Sequence, residues 1–155
     1  MTRWRLFGLI VVVGLVVDQF TKILVDRSMT LYQSIPVLDG LFNLTYLRNK
    51  GAAFSFLSTA SWRIPFFISV TLVAAVVILV TVRKLREEQR LAQSALAMIF
   101  SGAVGNLIDR VRLGEVIDFL DVYWKGYHWP AFNVADSLIC RSEEHTSELQ
   151  SLSHL

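Results

Sequence analysis

The chain has 155 residues, 54% of them hydrophobic and only 18% charged, with a mean hydropathy of +0.49. A soluble domain of this size carries nearer a quarter charged residues, and here the apolar residues fall in long blocks, the pattern of a membrane protein. A formal charge of +2 with no basic stretch between aromatics excludes a nucleic-acid partner; a single cysteine, Cys140, excludes an intrachain disulfide and a cysteine metal cluster; and His128, the one histidine before residue 141, leaves too few ligands for a zinc site.

Two arginines in MTRWR precede the apolar run Leu6–Val17, as they would in a signal peptide. DQFTK follows instead of a small-residue cleavage site, and apolar character resumes at Ile23. The reading is an uncleaved membrane helix over about 6–25, roughly 30 Å long. Asp18 and Lys22, four apart, share a helix face and can pair; the competing reading is an ordinary helix end whose charges snorkel to the interface. Residues 26–61 differ in kind. Asp39-Gly40 marks a turn, LFNLTYLR alternates like a strand, and Asn49-Lys50-Gly51 marks a second turn before the patch AAFSFL. These predict a small β-like platform on the membrane surface, with Phe54, Phe56 and Leu57 toward lipid and Trp62 at the interface.

The second span is expected over 64–82, with Pro65 tolerated in its first turn. Arg83, Lys84, Arg86 and Arg90 flank Glu87-Glu88 in a hydrophilic turn, and a third span over 91–108 ends at Asp109-Arg110. The cationic turn, with Arg3 and Arg5, is placed on the cytoplasmic side, which sends the segments after the first and third spans outward. On the third helix Gly102, Gly105, Asn106 and Asp109 share a face; the glycines read as sites of close helix packing. Asn106 and Asp109 form a polar corner with Arg110, Asp109 being a structural acid paired to Arg110 or a neighbour. A fourth span begins over 129–140, WPAFNVADSLIC, and breaks off after about 18 Å. Residues 141–155 turn abruptly polar, and RSEEHTSELQS resembles the translation of a sequencing-adapter oligonucleotide. Residues 1–140 are therefore read as a single integral-membrane domain and 141–155 as a non-native tail, with activity expected to suffer from the shortened helix.

Asp109, Asp118 and Asp136 lie at or near a membrane boundary, where a carboxylate costs about 2.5–3.5 kcal/mol even on the lenient insertion scale. Asp118 sits in an amphipathic stretch that dips into the interface, while Glu115 and Asp121 read as solvated loop acids. Asn133 and Asp136 share a face of the fourth helix, and an acid at that depth needs a partner, for which Asp118 is the nearby candidate. Two carboxylates held close cannot both ionise, so one keeps a proton. That asymmetry suits peptide hydrolysis: one member deprotonates water and the other polarises the carbonyl. Asp118 and Asp136 are accordingly the candidate catalytic pair of an intramembrane aspartic peptidase, and no Ser–His or Cys–His alternative exists. Two other readings compete: a small proton-coupled transporter using Asp18 and Asp136 as carriers, and a non-catalytic scaffold. A transporter needs acids along a path through the bilayer, whereas Asp18, Asp109 and Asp118 gather toward the outer side.

The segments DQFTK at 18–22, NKGAAFSF at 49–56, GAVGNLIDR at 102–110, GEVIDF at 114–119 and FNVAD at 132–136 together resemble the lipoprotein signal peptidase (signal peptidase II) family. One small departure is Ser101, where the motif often has a first glycine. The resemblance implies an all-α membrane protein of the bacterial cytoplasmic (inner) membrane, with four transmembrane helices and both termini cytoplasmic. A small extracytoplasmic β-cradle and an interfacial helix would stand near the active site. It implies cleavage of the signal peptide just before a cysteine carrying diacylglycerol, with Asp118 and Asp136 catalytic. Asp18, Lys22, Asn49, Asn106, Asp109, Arg110 and Asn133, with Gly102 and Gly105 beside them, would support the site or contact substrate. No cofactor and no metal are expected. The implied partners are the diacylglyceryl-prolipoprotein, membrane lipid and globomycin-like cyclic peptide inhibitors, and the chain is expected to be a monomer. Acyl chains would find apolar surface on AAFSFL and around Tyr123–Trp129.

Overall fold

The computed structural model describes residues 2–51 and 62–142. Three long helices dominate: α1 (Arg3–Ser28), α2 (Arg63–Lys84) and α3 (Arg90–Leu113), each long and apolar enough to cross a membrane. Their outer faces are apolar and uncovered, as Val12, Val16 and Phe20 on α1 and Val73, Val76 and Val77 on α2 show. Surfaces of this kind suit lipid, not water. Inside, α3 lies between the other two helices, and Phe7, Val11, Ile78, Val82 and Ala97 form one apolar cluster, with the Phe7 and Phe100 rings edge to face at 5.4 Å. The backbones of α1 and α3 approach closely where Gly14 faces Ser101, because a Cβ on Gly14 would fall on the serine hydroxyl. At one end Arg3 ties α1 to the α2–α3 turn, pairing with Glu87 at 3.0 Å and donating from Nη1 to the Arg83 carbonyl at 2.7 Å. The two cationic ends that the sequence placed on one side are therefore adjacent.

The opposite end carries a four-stranded antiparallel sheet in the order β1 (Ser34–Leu38), β2 (Phe42–Asn49), β3 (Val116–Trp124), β4 (Tyr127–His128). The Asp39-Gly40 turn forms as expected, with Gly40 at φ 79°, where the absence of a Cβ matters. Alternation along β2 sends Leu44 and Tyr46 into a second apolar cluster with Val25, Met29, Ile117 and Phe119, so the sheet rests on the end of α1. Tyr46 donates its hydroxyl to Asp26, and the Arg48 guanidinium reaches the same carboxylate at 2.7 Å.

Several elements differ from expectation. The third helix does not end at Asp109-Arg110 but runs on to Gly114, whose φ of 73° and N–H bond to the Arg110 carbonyl (3.0 Å) make a left-handed cap. The segment after it is strand β3, not an amphipathic interfacial stretch, and the described residues are mostly helical with a small antiparallel sheet, as expected. No separate interfacial helix stands among the elements of the described residues. The patch AAFSFL, with Phe54, Phe56 and Leu57, lies outside them. Helical backbone resumes at residues 134–142 (here α4), not at Trp129, because Phe132 is held as a bridge partner of Leu120. It continues past Cys140, and Ser142 is buried.

Candidate active site

The acids singled out in the sequence converge where α1, α3, β3 and the start of α4 meet. Lys22 is the hub of the helical part. Its ammonium lies 3.0 Å from Asp18 and 2.9 Å from Asp109, and donates to the Asn106 side-chain oxygen at 3.0 Å. Lys22, Asp18 and Asp109 are 1% exposed or less, so neither charged end snorkels; each is neutralised by a partner instead. Asp109 thus pairs with Lys22, not with Arg110, and the oxygen that faces the ammonium also accepts from the Ile117 backbone N–H at 3.2 Å, which fixes the start of β3. Arg110 donates to the Asn106 carbonyl and stands 4.5 Å above the Phe67 ring. Gly105 leaves the space that the Asp18 carboxylate fills, and Gly102 lies against the Ala135 carbonyl and Ile139. At both positions a Cβ would collide.

The first turn of α4 is built by its own sequence. Asn133 caps it, its side-chain oxygen accepting from the Asp136 N–H at 3.0 Å, while the Asp136 carboxylate accepts from the Asn133 N–H at 3.3 Å. This reciprocal arrangement is a capping box with Asn and Asp in place of Ser and Glu. Asp18 accepts from the Ala135 N–H at 2.9 Å, so a carboxylate from α1 satisfies another free donor at the positive end of α4.

Asp118 and Asp136 meet through two asparagines. Asn133 donates to Asp118 at 2.8 Å and Asn106 donates to Asp136 at 2.9 Å, while Asn133 also reaches the Asn106 oxygen at 3.3 Å. From the sheet side, Asn49 donates to the other Asp118 oxygen at 2.8 Å. Asp118 is 2% exposed. Burial pushes its pKa up to about 6, and the Asp136 charge adds to that, against the hydrogen bonds from Asn49 and Asn133 and the charge of Lys22. A carboxyl in this state gives and takes protons near neutral pH. Beside Asp136 an apolar cleft of about 280 Å³ opens between Trp129, Pro130, Phe132, Ser137 and Cys140.

The family model described as signal peptidase (SPase) II matches residues 10–142, almost the whole of the described chain. The chain belongs to the signal peptidase II family. Its sequence is 72% identical over 137 residues to the lipoprotein signal peptidase of Geobacter sulfurreducens, covering 88% of this chain and 86% of that protein. To the lipoprotein signal peptidase of Syntrophotalea carbinolica it is 50% identical over 140 residues, 90% of this chain and 87% of that one. A solved bacterial membrane enzyme, determined by the in meso method at 1.9 Å, superposes with a TM-score of 0.85 at 33% identity, covering 93% of this chain and 91% of that chain.

Two features of this signal peptidase II site were missed in the sequence. Gln19, whose amide donates to Asp18 at 3.1 Å, to the Gly105 carbonyl at 3.2 Å and to Asp109 at 3.2 Å, closes the Lys22 cluster. Its place directly after Asp18 on a helix entering polar company was the available signal. Asp121 is not a solvated loop acid but 7% exposed, accepting from Asn43, Thr45 and His128. Alternation in VIDFLDVYW could have placed it in a strand. Glu115, by contrast, does lie at the surface side, 3.5 Å from Lys50.

Proposed function

We propose that this chain is an aspartic endopeptidase that removes signal peptides from diacylglyceryl-modified prolipoproteins, cleaving before the lipidated cysteine. Asp118 and Asp136 are its catalytic pair. The carrying observation is the pair itself: two carboxylates tied by Asn106 and Asn133, one of them buried with its pKa pushed up to about 6. In the protonated fraction of the enzyme, which is the reactive one, Asp118 holds the shared proton, polarises the scissile carbonyl and passes the proton on toward the leaving amine. Asp136, whose two oxygens accept from Asn106 and from its own helix cap, takes a proton from the attacking water. The remaining residues hold geometry. Asn49, Asn106 and Asn133 aim the carboxylates, and the Lys22 cluster fixes α1, α3 and α4 relative to one another.

In this reading the chain sits in the bacterial inner membrane, α4 is the beginning of a fourth span, and the sheet is an extracytoplasmic cradle. The apolar cleft beside Asp136 borders the lipid, where an acyl chain can be accommodated. The transporter reading is not supported: the buried acids Asp18, Asp109 and Asp118 cluster at the sheet end, and the Arg3–Glu87 end carries none of them. The test is Asp118→Asn and Asp136→Asn, each assayed on a diacylglyceryl precursor after its insertion and fold are checked. Both should lose cleavage entirely. Substantial turnover by either folded variant rejects the pair.

A further inference from the structure

A second polar cluster lies beyond the dyad. Along β2, Tyr46 and Arg48 turn toward Asp26 on α1, leaving Asn43, Thr45, Leu47 and Asn49 in a row on the other face. Asn49, at the inner end of the row, donates to Asp118. At the outer end, Asn43 and Thr45 donate to one oxygen of Asp121, at 3.3 and 3.0 Å. The other Asp121 oxygen lies 2.8 Å from His128 Nδ1, and the imidazole stacks on Tyr123 with centroids 4.9 Å apart and planes 12° apart. Over this row lies an open cavity of about 540 Å³, walled on its far side by Trp129, Pro130 and Ala131. That wall continues through Phe132 into Asn133, which holds Asp118. Strand β2 and the segment 129–133 therefore both run from the cavity to the dyad.

The substrate chemistry gives the cavity a direction. The apolar part of a signal peptide stays among the membrane helices, so the chain beyond the cleaved bond must leave over the sheet, where the groups are polar. From Asp118 to Asp121 is three strand positions, roughly 10 Å. An extended peptide with its scissile bond at the dyad brings its second to fourth residues after the cysteine to Asp121 and His128. We propose that this cavity is the subsite for the residues just downstream of the lipidated cysteine, and that the Asp121–His128 pair selects against acidic side chains there. The inference rests on the dyad reading given above.

The selecting chemistry follows from the bonds. Burial works against ionisation of Asp121, but the hydrogen bonds from His128, Thr45 and Asn43 outweigh it and hold its pKa below the usual carboxylate value. The Asp121 carboxylate lines the cavity with its charge, and with Nδ1 turned to it the half-exposed His128 ring leaves its Nε2 edge outward. Ammonium, hydroxyl and amide donors are favoured at that point, and a carboxylate is repelled.

The experiment compares three diacylglyceryl precursors that differ only in the third residue after the cysteine: Lys, Ser or Glu. With the unaltered enzyme, kcat/KM for Lys should exceed that for Glu by about 3- to 10-fold, the size expected of a partly screened charge contact. Asp121→Asn should lower the Lys value and raise the Glu value, and His128→Lys, on the exposed side of the pair, should favour Glu outright. A merely structural role would lower all three precursors together with their ratios unchanged, and that result, or equal values in the unaltered enzyme, overturns the proposal. Asp118→Asn run alongside separates the two readings. If it still cleaves, the dyad assignment fails whatever the ratios; if it is inactive while the ratios are flat, the subsite alone fails.

Discussion

Asp118, one member of the proposed catalytic pair, shows how such a residue can be unfavourable to folding. Its pKa in the folded protein, about 6, lies above its ordinary value of 3.8. Protonation therefore favours the fold: the contribution is fully present below the ordinary value and is lost as pH rises through about 6. At neutral pH the ionised carboxylate stays buried at a cost on the order of 1–3 kcal/mol. Asp118→Asn should accordingly be inactive yet more stable than the parent at pH 7–8, with the gap closing below about pH 4. Thermal unfolding in detergent micelles across that range is the measurement. A parent equal to or more stable than the variant at pH 8 would contradict the burial argument. Lys22 behaves in the opposite way. Removing its charge in Lys22→Met leaves Asp18 and Asp109 buried without their cation, and about 3–5 kcal/mol of stability should be lost. Unfolding midpoints and membrane yield would report the loss, and a variant as stable as the parent would mean that the cluster has no net worth.

Among the elements, the α3–α4 contact bears most directly on the geometry of the proposed pair. The first turn of α4 carries Asp136, and it is located by its capping box, by Asp18 and by the absence of a side chain on Gly102. A Cβ at Gly102 would meet the Ala135 carbonyl, a backbone atom that cannot rotate aside, so α4 would have to move bodily. A displacement near 1 Å at the reacting groups costs about a hundredfold in rate. Gly102→Ala should therefore lower kcat by about ten- to a hundredfold with KM changed much less. Gly8→Ala, on the same kind of helix but facing open space, should leave both alone. Steady-state kinetics on one precursor separates these outcomes, and an unimpaired Gly102→Ala would show that α4 is not held by this contact.

For the molecule as a whole, the decisive fact is that a polar site sits at one end of three apolar helices. Substrate must reach it from the bilayer, with its lipid still in hydrocarbon. Each buried CH₂ of an acyl chain contributes roughly 0.8 kcal/mol, so most of the recognition energy should come from the diacylglyceryl group. The same precursor without that group should be cleaved with kcat/KM lower by at least about a hundredfold. Comparable cleavage, followed in the same vesicles, would indicate a general membrane peptidase.

The sequence alone determined the membrane class, the three long helices, the Asp39-Gly40 turn, the strand after it and the small set of polar residues around which the site is built. These were legible because each depends on near neighbours: an apolar run long enough to span, an alternation of two, or an acid set in apolar company. It also carried the signature of the family. What it did not contain in readable form were the meetings of distant residues. Asp109 pairs with Lys22 and not with Arg110 because α1 and α3 pack at glycines, and with that charge neutralised α3 runs on to Gly114. Trp129–Phe132 stays extended because β3 offers Leu120 as a bridge partner, and only then does Asn133 cap a helix. Asp121 becomes an enclosed anion only when β2 and His128 close over it. In each case local preference was overruled by packing, since burial decides whether a charge must find a partner, and only the tertiary structure supplies one.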